Sequence, residues 1–340
     1  MIKNKRLLLK TRPVGLPKVT DFALVEEAVP TPADGQILVR NVYCSLDPAI
    51  RGWLDDAPSY FPPIEIGAAI RASTIGRVVQ SRAEGFKDGD WVVGLNAIED
   101  YSATAPGPFI SLADLSVVSQ PTHYLSIFGA VGLTAYFGLL DIGKPKTGET
   151  VLVSGAAGAV GSLVGQIARI QGCRTVGIAG GAEKCARLLS DYGYDVAIDY
   201  RNKTLLQLTQ EIQAACPSGV DVYFDNVGGI ILDAALACIA DNARIALCGM
   251  ISGYNATTPQ PGPTHIWNLI AKTARMEGFL IRDYFPRFQE GAVQMGQWLA
   301  EGKLTFHEHI EQGIENAVQA FLKLFSGENK GKLILQIGDL

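Results

Sequence analysis

Residues Thr150 to Cys173 read TVLVSGAAGAVGSLVGQIARIQGC, and the reading of this stretch decides the fold. It opens on Val151, Leu152 and Val153, an apolar run with the make-up of a strand buried on both faces. A turn rich in glycine follows from Gly155 to Gly161. It leads into a helical pattern with apolar residues at Val160, Val164, Ile167 and Ala168 and small ones at Gly161 and Gly165. Strand, tight turn and helix in that order leave the first N–H groups of the helix without partners, under the positive end of its dipole. A pyrophosphate fits there, and glycine lets the backbone approach it closely. The spacing of Gly155, Gly158 and Gly161 is GxxGxxG rather than GxGxxG, so the turn needs the support of its surroundings.

That support comes from the text on either side. After Thr150, strand-like runs (Val151–Ser154, Arg174–Ala179, Val196–Tyr200, Val222–Asn226, Arg244–Cys248, Glu277–Ile281) alternate with helical ones. The helices expected are Glu183–Tyr192, Leu205–Ala215, Ile230–Ile239, Ile266–Ala274 and Phe288–Ala300, which together predict a doubly wound parallel sheet. Before it, Leu125–Ile142 reads as an apolar helix. Earlier still come short strands (Arg6–Lys10, Phe22–Glu26, Gln36–Ser45, Thr74–Ser81, Asp90–Leu95), separated by clusters of Pro and Gly, which predict a β-rich domain. A helix at Glu315–Phe325 and a strand at Lys332–Ile337 close the chain. The expected class is therefore α/β, a Rossmann sheet over residues 126–303 beside a β-rich domain formed by 1–125 and 304–340.

Composition narrows the function. A formal net charge of −5, with both signs interspersed, offers no track for nucleic acid and no polybasic patch for a membrane surface. Six cysteines lie scattered without a CxxC pair, mostly in apolar runs, which predicts buried thiols in a reducing compartment. Only three leucines follow Lys3–Arg6 before Lys10, too few for a signal segment, and the run Ile127–Leu140 is interrupted by three glycines and falls short of a bilayer span. A soluble, cytoplasmic protein is expected. No His precedes His123, and Cys44 has no companion ligands, so no zinc site is expected.

Cofactor choice is read about 20 residues beyond the glycine turn, where an acid would grip a ribose 2′-hydroxyl. Here the second strand runs into Ala179-Gly180-Gly181-Ala182 with no acid at its tip. Lys184 lies just beyond and Tyr200 closes the third strand, a cation and a phenol that favour a 2′-phosphate and hence NADP.

The motifs AAGAVGS (156–162), AGGAEK (179–184), YFDNVGG (223–229), CGMISGYN (248–255), GLTAYFGLLDIG (132–143) and ENKGKLILQI (328–337), with SLDPAIRG (45–52) and APSYFPPIEIG (57–67), carry a resemblance across nearly the whole chain. The sequence resembles the zinc-free medium-chain dehydrogenase/reductase family, in its branch of NADPH-dependent double-bond reductases, which includes prostaglandin and leukotriene, curcumin and plant alkenal reductases.

The resemblance implies a GroES-like substrate domain beside the Rossmann domain, with substrate in the cleft between them, and a homodimer. It implies that Gly158, Ala159, Val160 and Gly161 line the pyrophosphate, and that Lys184 and Tyr200 hold the 2′-phosphate. Asn226, the loop from Cys248 and Gly249 through Ser252 to Tyr254, and Phe279, Leu280 and Ile281 would wall the nicotinamide half, with Asn329 reaching in from the other domain. The implied reaction delivers hydride from NADPH to the β-carbon of an α,β-unsaturated carbonyl compound. Charge then spreads onto the carbonyl oxygen, so the protein must aim donors at it. Tyr254 is the first candidate donor and Tyr60 the second. Quinone or carbonyl reduction on the same scaffold, or cofactor binding without turnover, are the alternatives. The sequence departs from the family at Ala49, where relatives place a Tyr after Asp-Pro, and at Gly67–Ser73, so substrate identity transfers less readily than cofactor identity.

Overall fold

The computed structural model describes residues 2–339. The chain divides into two units, one built from residues up to Ser126 together with those from Glu308 onward, the other from Ile127 to His307. The returning segment, expected from residue 304, begins four residues later. Up to that point the chain is held by its own unit: Leu304 is buried in the core, the Gln166 side chain bonds both the N–H and the C=O of Thr305, and His307 packs edge-on against Tyr192.

The second unit carries a six-stranded parallel sheet. Its strands are β1 (Thr150–Ser154), β2 (Arg174–Ala179), β3 (Val196–Asp199), β4 (Val220–Asp225), β5 (Ile239–Leu247) and β6 (Arg275–Gly278), in the spatial order 3-2-1-4-5-6. The order reverses between β1 and β4. That is where a doubly wound sheet opens a crevice beyond the C-terminal ends of its strands. Helices cover the sheet: α1 (Ala130–Phe137), α2 (Ala159–Ile170), α3 (Ala182–Ser190), α4 (Leu205–Ala215), α5 (Gly229–Leu236) and α6 (Phe288–Ala300). Every residue of β1 is buried, as its unbroken apolar text requires.

The helix expected over Ile230–Ile239 ends at Leu236 and β5 begins early, at Ile239, and three further stretches differ from the sequence reading. The helix expected from Leu125 starts at Ala130, because Gly129 is extended, and it loosens into a π-helical turn at Gly138–Gly143 that ends with Lys144 in the left-handed region. A Cβ on Gly138 would stand 2.3 Å from the Phe279 ring, so the loosened turn seats an aromatic side chain from beyond β6. The helix expected over 266–274 is a 3₁₀ turn, Thr264–Trp267, followed by the short helix Asn268–Ala271. The last parallel strand ends at Gly278, which leaves Phe279 to Ile281 in the segment that follows it.

In the first unit, Lys3–Leu9 pairs antiparallel with Phe22–Ala28, and a seven-stranded sheet is centred on Ile37–Ser45. That strand pairs with Arg71–Ser81 on one side. On the other it is shared, by Tyr101–Thr104 along its first half and by Lys332–Gln336 along its second. The C-terminal strand thus belongs to the N-terminal sheet, and the buried Lys332 ammonium pins it to the Leu46 carbonyl and to Asp47 at 2.7 Å. The strands Tyr101–Thr104, Ile110–Leu112 and Glu308–Gln312 are short and rich in polar residues, and their text carries no strand signal.

The small residues of α2 have separate tasks. A Cβ on Gly161 would meet the Gly155 carbonyl of its own turn at 2.4 Å, whereas one on Gly165 would stand 2.0 Å from the Tyr194 ring, whose hydroxyl donates to the Gly161 carbonyl at 2.7 Å. Gly165→Ala is therefore expected to lower stability by about 1–3 kcal/mol through overpacking, read as a fall in the thermal or urea midpoint. A midpoint equal to that of the unsubstituted protein would show that Tyr194 can move aside.

Candidate active site

The C-terminal ends of β1, β2 and β3 gather the first group of residues. Gly155 turns the chain with φ of +57°, Gly158 sits extended as the N-cap of α2, and no side chain caps that helix. The amides of Ala159, Val160 and Gly161 begin it. These are N–H groups a pyrophosphate can use, in front of the positive end of a twelve-residue helix. The Val160 side chain is half-buried and packs against the core of this unit.

Lys184 lies in the first turn of α3. Burial, and then the Arg187 and Arg201 guanidinium groups, hold its ammonium below the ordinary value, with Glu183 opposing. The Tyr200 ring stands against Gly180, and Arg201 lies over Gly181, where a Cβ would come 2.2 Å from the guanidinium. Gly181 also has φ of +99°, so conformation and contact both require glycine. Asp199 at the tip of β3 accepts from the Gly181 N–H at 2.8 Å and the Arg201 N–H at 3.1 Å, and pairs loosely with the Arg201 side chain at 3.6 Å. Burial pushes its carboxyl up, but those donors outweigh it and the net shift is downward. An acid is present, then, at the third strand rather than the second, and its Oδ1 already serves the loop. Lys184, Arg201 and Tyr200 together form a cationic rim that suits a phosphate monoester. Arg201 escaped the sequence reading because a charged residue following a strand ordinarily reads as solvated.

The second group gathers at β4 and β5. Asn226 follows β4, and its Nδ2 donates to the Ser154 carbonyl at 2.7 Å across the sheet reversal. Cys248 and Gly249 follow β5, both amides donating to the Asp225 carbonyl. Ser252 is engaged: its hydroxyl donates to the Val227 carbonyl at 2.6 Å and holds the two loops together. Tyr254 folds back over this loop, its hydroxyl accepting from the Met250 N–H at 3.3 Å. Burial first, then Cys248 and Asp225, push its phenol up against the pull of that N–H, so the hydroxyl keeps its proton at neutral pH. It has a proton to give. Cys248 packs against the core and burial pushes its thiol up to about 12, which leaves it no character as a nucleophile.

Phe279 is seated over Gly138 with its ring edge-on to Phe224 at 6.2 Å and to Tyr284 at 6.5 Å, while Leu280 and Ile281 are half-buried beside it. Tyr60 and Asn329 belong to the β-rich unit. Tyr60 meets Trp53 edge-on at 6.1 Å and leans on Phe61 at 5.5 Å, and Asn329 donates to the Gly331 carbonyl at 3.0 Å within its own turn. Ala49 is half-buried on the core of the same unit. Among the described residues no group of three or more His, Cys, Asp or Glu side chains is placed to hold a metal ion.

A parallel sheet in the order 3-2-1-4-5-6, with an uncapped glycine turn at its reversal, defines a dinucleotide-binding oxidoreductase domain. The sequence matches the family model described as N-terminal domain of oxidoreductase over residues 5–112, and that described as zinc-binding dehydrogenase over residues 159–298. It is 43% identical to the NADPH-dependent curcumin reductase of Escherichia coli, over 98% of this chain and 97% of that one. It is 36% identical to the NADP(+)-dependent 2-alkenal reductase of Nicotiana tabacum, over 99% and 98%. The crystal structure of CurA from Vibrio vulnificus in complex with NADPH superposes with a TM-score of 0.93, at 41% identity over 99% of this chain and 100% of that one. The chain belongs to the medium-chain dehydrogenase/reductase family, in its zinc-free branch of double-bond reductases.

Proposed function

We propose that this protein binds NADP(H) and reduces the carbon–carbon double bond of α,β-unsaturated carbonyl compounds, enones and enals. The observation that carries the reading is likeness over nearly the full length to relatives named for two different substrates, curcumin and 2-alkenals, which share a carbonyl conjugated to an alkene. The cationic rim of Lys184, Arg201 and Tyr200 supports the choice of a phosphorylated cofactor, and the N–H groups of Ala159 to Gly161 support its pyrophosphate.

Bound NADPH supplies the hydride. The chain's own part is to bind, to orient and to stabilise charge. As the β-carbon accepts hydride, negative charge moves through the conjugated system to the carbonyl oxygen, and the Tyr254 hydroxyl, whose proton is not used within its loop, is the donor for it. Its raised pKa makes it a hydrogen-bond donor rather than a bulk acid, and solvent supplies the proton at the α-carbon. Asn226, fixed through Ser154, and the Cys248–Gly249 backbone orient the ring end of the cofactor.

The protein is proposed to act in the cytoplasm, in keeping with six free thiols and with the lack, among the described residues, of a helix long and apolar enough to cross a membrane. We also propose a homodimer. Among the described residues the outer strand β6 has no neighbour on its far side, and close to it in sequence Trp267 and Ile270 are each 67% exposed. Sedimentation at micromolar concentration is expected to give twice the chain mass, and a monomer would refute it.

Mixing the protein with NADPH and a panel of enones and enals tests the main reading: loss of the reduced-nicotinamide absorbance with formation of the saturated carbonyl product is expected, and no turnover with any of them would sink it. Tyr254→Phe is expected to lower kcat/KM by about 10- to 100-fold, with the thermal midpoint nearly unchanged. Lys184→Ala and Arg201→Ala are each expected to weaken NADPH by roughly 1–3 kcal/mol while leaving NADH nearly unaffected. Equal weakening of both cofactors would remove these residues from the phosphate subsite.

A further inference from the structure

Asp225 closes β4 and is 0% exposed, and among the described residues no cation pairs with it. Every partner of its carboxylate is a donor. Ser154 Oγ lies at 2.7 Å and Tyr223 Oη at 2.6 Å on one oxygen, joined there by the Val227 N–H at 3.0 Å, and the Gly228 N–H reaches both oxygens at 3.1 Å. Ser154 Oγ accepts from the Asn226 N–H at 2.9 Å, which turns its proton toward Asp225. Four donors converge in a ring on this carboxyl, and together they stabilise its charged form. Gly228, with φ of +72°, folds its N–H back into this ring, so the turn itself is shaped around the anion.

The same residue holds the second loop, since its carbonyl accepts from the Cys248 and Gly249 amides. Asp225 therefore lies beneath both loops proposed for the nicotinamide half, and its field is felt above them, where it adds to the upward shifts of the Cys248 thiol and the Tyr254 phenol. Hydride donation turns a neutral dihydronicotinamide into a cation, because the departing hydride carries both bonding electrons to the alkene. A fixed anion in a medium of low polarity lowers the free energy of that cation and of the transition state leading to it.

We propose that Asp225 is a positioning residue whose buried, unpaired charge makes the site above it favour the oxidised, cationic nicotinamide over the reduced, neutral one. The proposal rests on the reading that this chain binds NADP(H), and it assigns Asp225 a task distinct from that of the 2′-phosphate rim, which treats both redox forms alike.

Dissociation constants for NADP+ and NADPH, measured by calorimetry on the intact protein, test it. Asp225→Asn is nearly isosteric: its Oδ1 can keep the Ser154, Tyr223, Val227 and Gly228 donors, while its amide takes the place of the oxygen that only the Gly228 N–H reaches. The ratio Kd(NADP+)/Kd(NADPH) is expected to rise about tenfold in Asp225→Asn, the order expected for one charge at short range inside a protein. Tyr223→Phe removes one donor and keeps the charge, so its ratio is expected to stay within about twofold of the unsubstituted protein. Weakening of both forms by the same factor in Asp225→Asn, or an equal rise in the ratio in Tyr223→Phe, overturns the proposal, since either is what loss of loop geometry alone produces. Should Asp225→Asn fail to fold, the unsubstituted protein still decides: NADP+ bound at least as tightly as NADPH supports the proposal, and a tenfold preference for NADPH overturns it. Binding of neither form sinks the cofactor reading and this inference with it, whereas normal binding with an unmoved ratio sinks this inference alone.

Discussion

One buried hydrogen bond, from Ser154 Oγ to Asp225 Oδ1, joins residues 71 positions apart and fixes the place where the sheet reverses. Ser154 ends β1 and Asp225 ends β4, the two strands between which a doubly wound sheet opens. Both residues are fully buried. A polar group at such depth is tolerated only when its bonds are met, so the pair sets the register of both strand ends and of the turns leaving them. Gly155 leaves one end toward the uncapped N-terminus of α2, and Asn226 leaves the other, tied back to Ser154 twice.

From that fixed pair the two halves of the site follow by different physics. On the β2–β3 side, positive potential is fixed and incompletely neutralised: a helix N-terminus without a side-chain cap, and Lys184 held down by burial and by two guanidinium groups. Clustered like charges cost free energy unless an anion joins them, which is what supports the phosphate subsite proposed there. On the β4–β5 side, which is the half proposed for the nicotinamide, loop is held to loop, with Ser252, Cys248 and Gly249 attached to Val227 and Asp225 and Tyr254 folded back onto the Met250 N–H. The Asp225 carboxyl there is buried and surrounded by donors.

The β-rich unit is ordered by a different device. Its central strand, Ile37–Ser45, gives one edge to two partners, and the later of them is the C-terminal strand. The Lys332 ammonium, almost wholly buried, is met by the Leu46 carbonyl and the Asp47 carboxylate. The turn carrying Asp47, Pro48 and Ala49 is thus attached to a strand nearly 290 residues away, which explains how a segment so distant in the chain belongs to the first sheet. Ala49 rests, half-buried, on the core there.

The sequence by itself determined the alternation of strand and helix after Thr150, the glycine turn, and the replacement of an acid by Lys184 after β2, because each is local: apolar periodicity, φ above zero and residue type act over a few positions. The full length of β5 escaped it, since Ala240 to Asn242 interrupt the apolar text, and the strand pairs with β4 at Ile239 and again from Arg244 across an irregularity. So did the break in the helix near Gly138, where the space is needed by Phe279 from 141 positions further on. Only the tertiary structure decided that Arg201 joins Lys184, that Asp199 is occupied by the loop it supports, and that four donors converge on the buried Asp225 carboxyl. These depend on which distant groups share a buried volume, and burial, which turns an ordinary Asp or Lys into a costly and directed charge, is not written in any short stretch of chain.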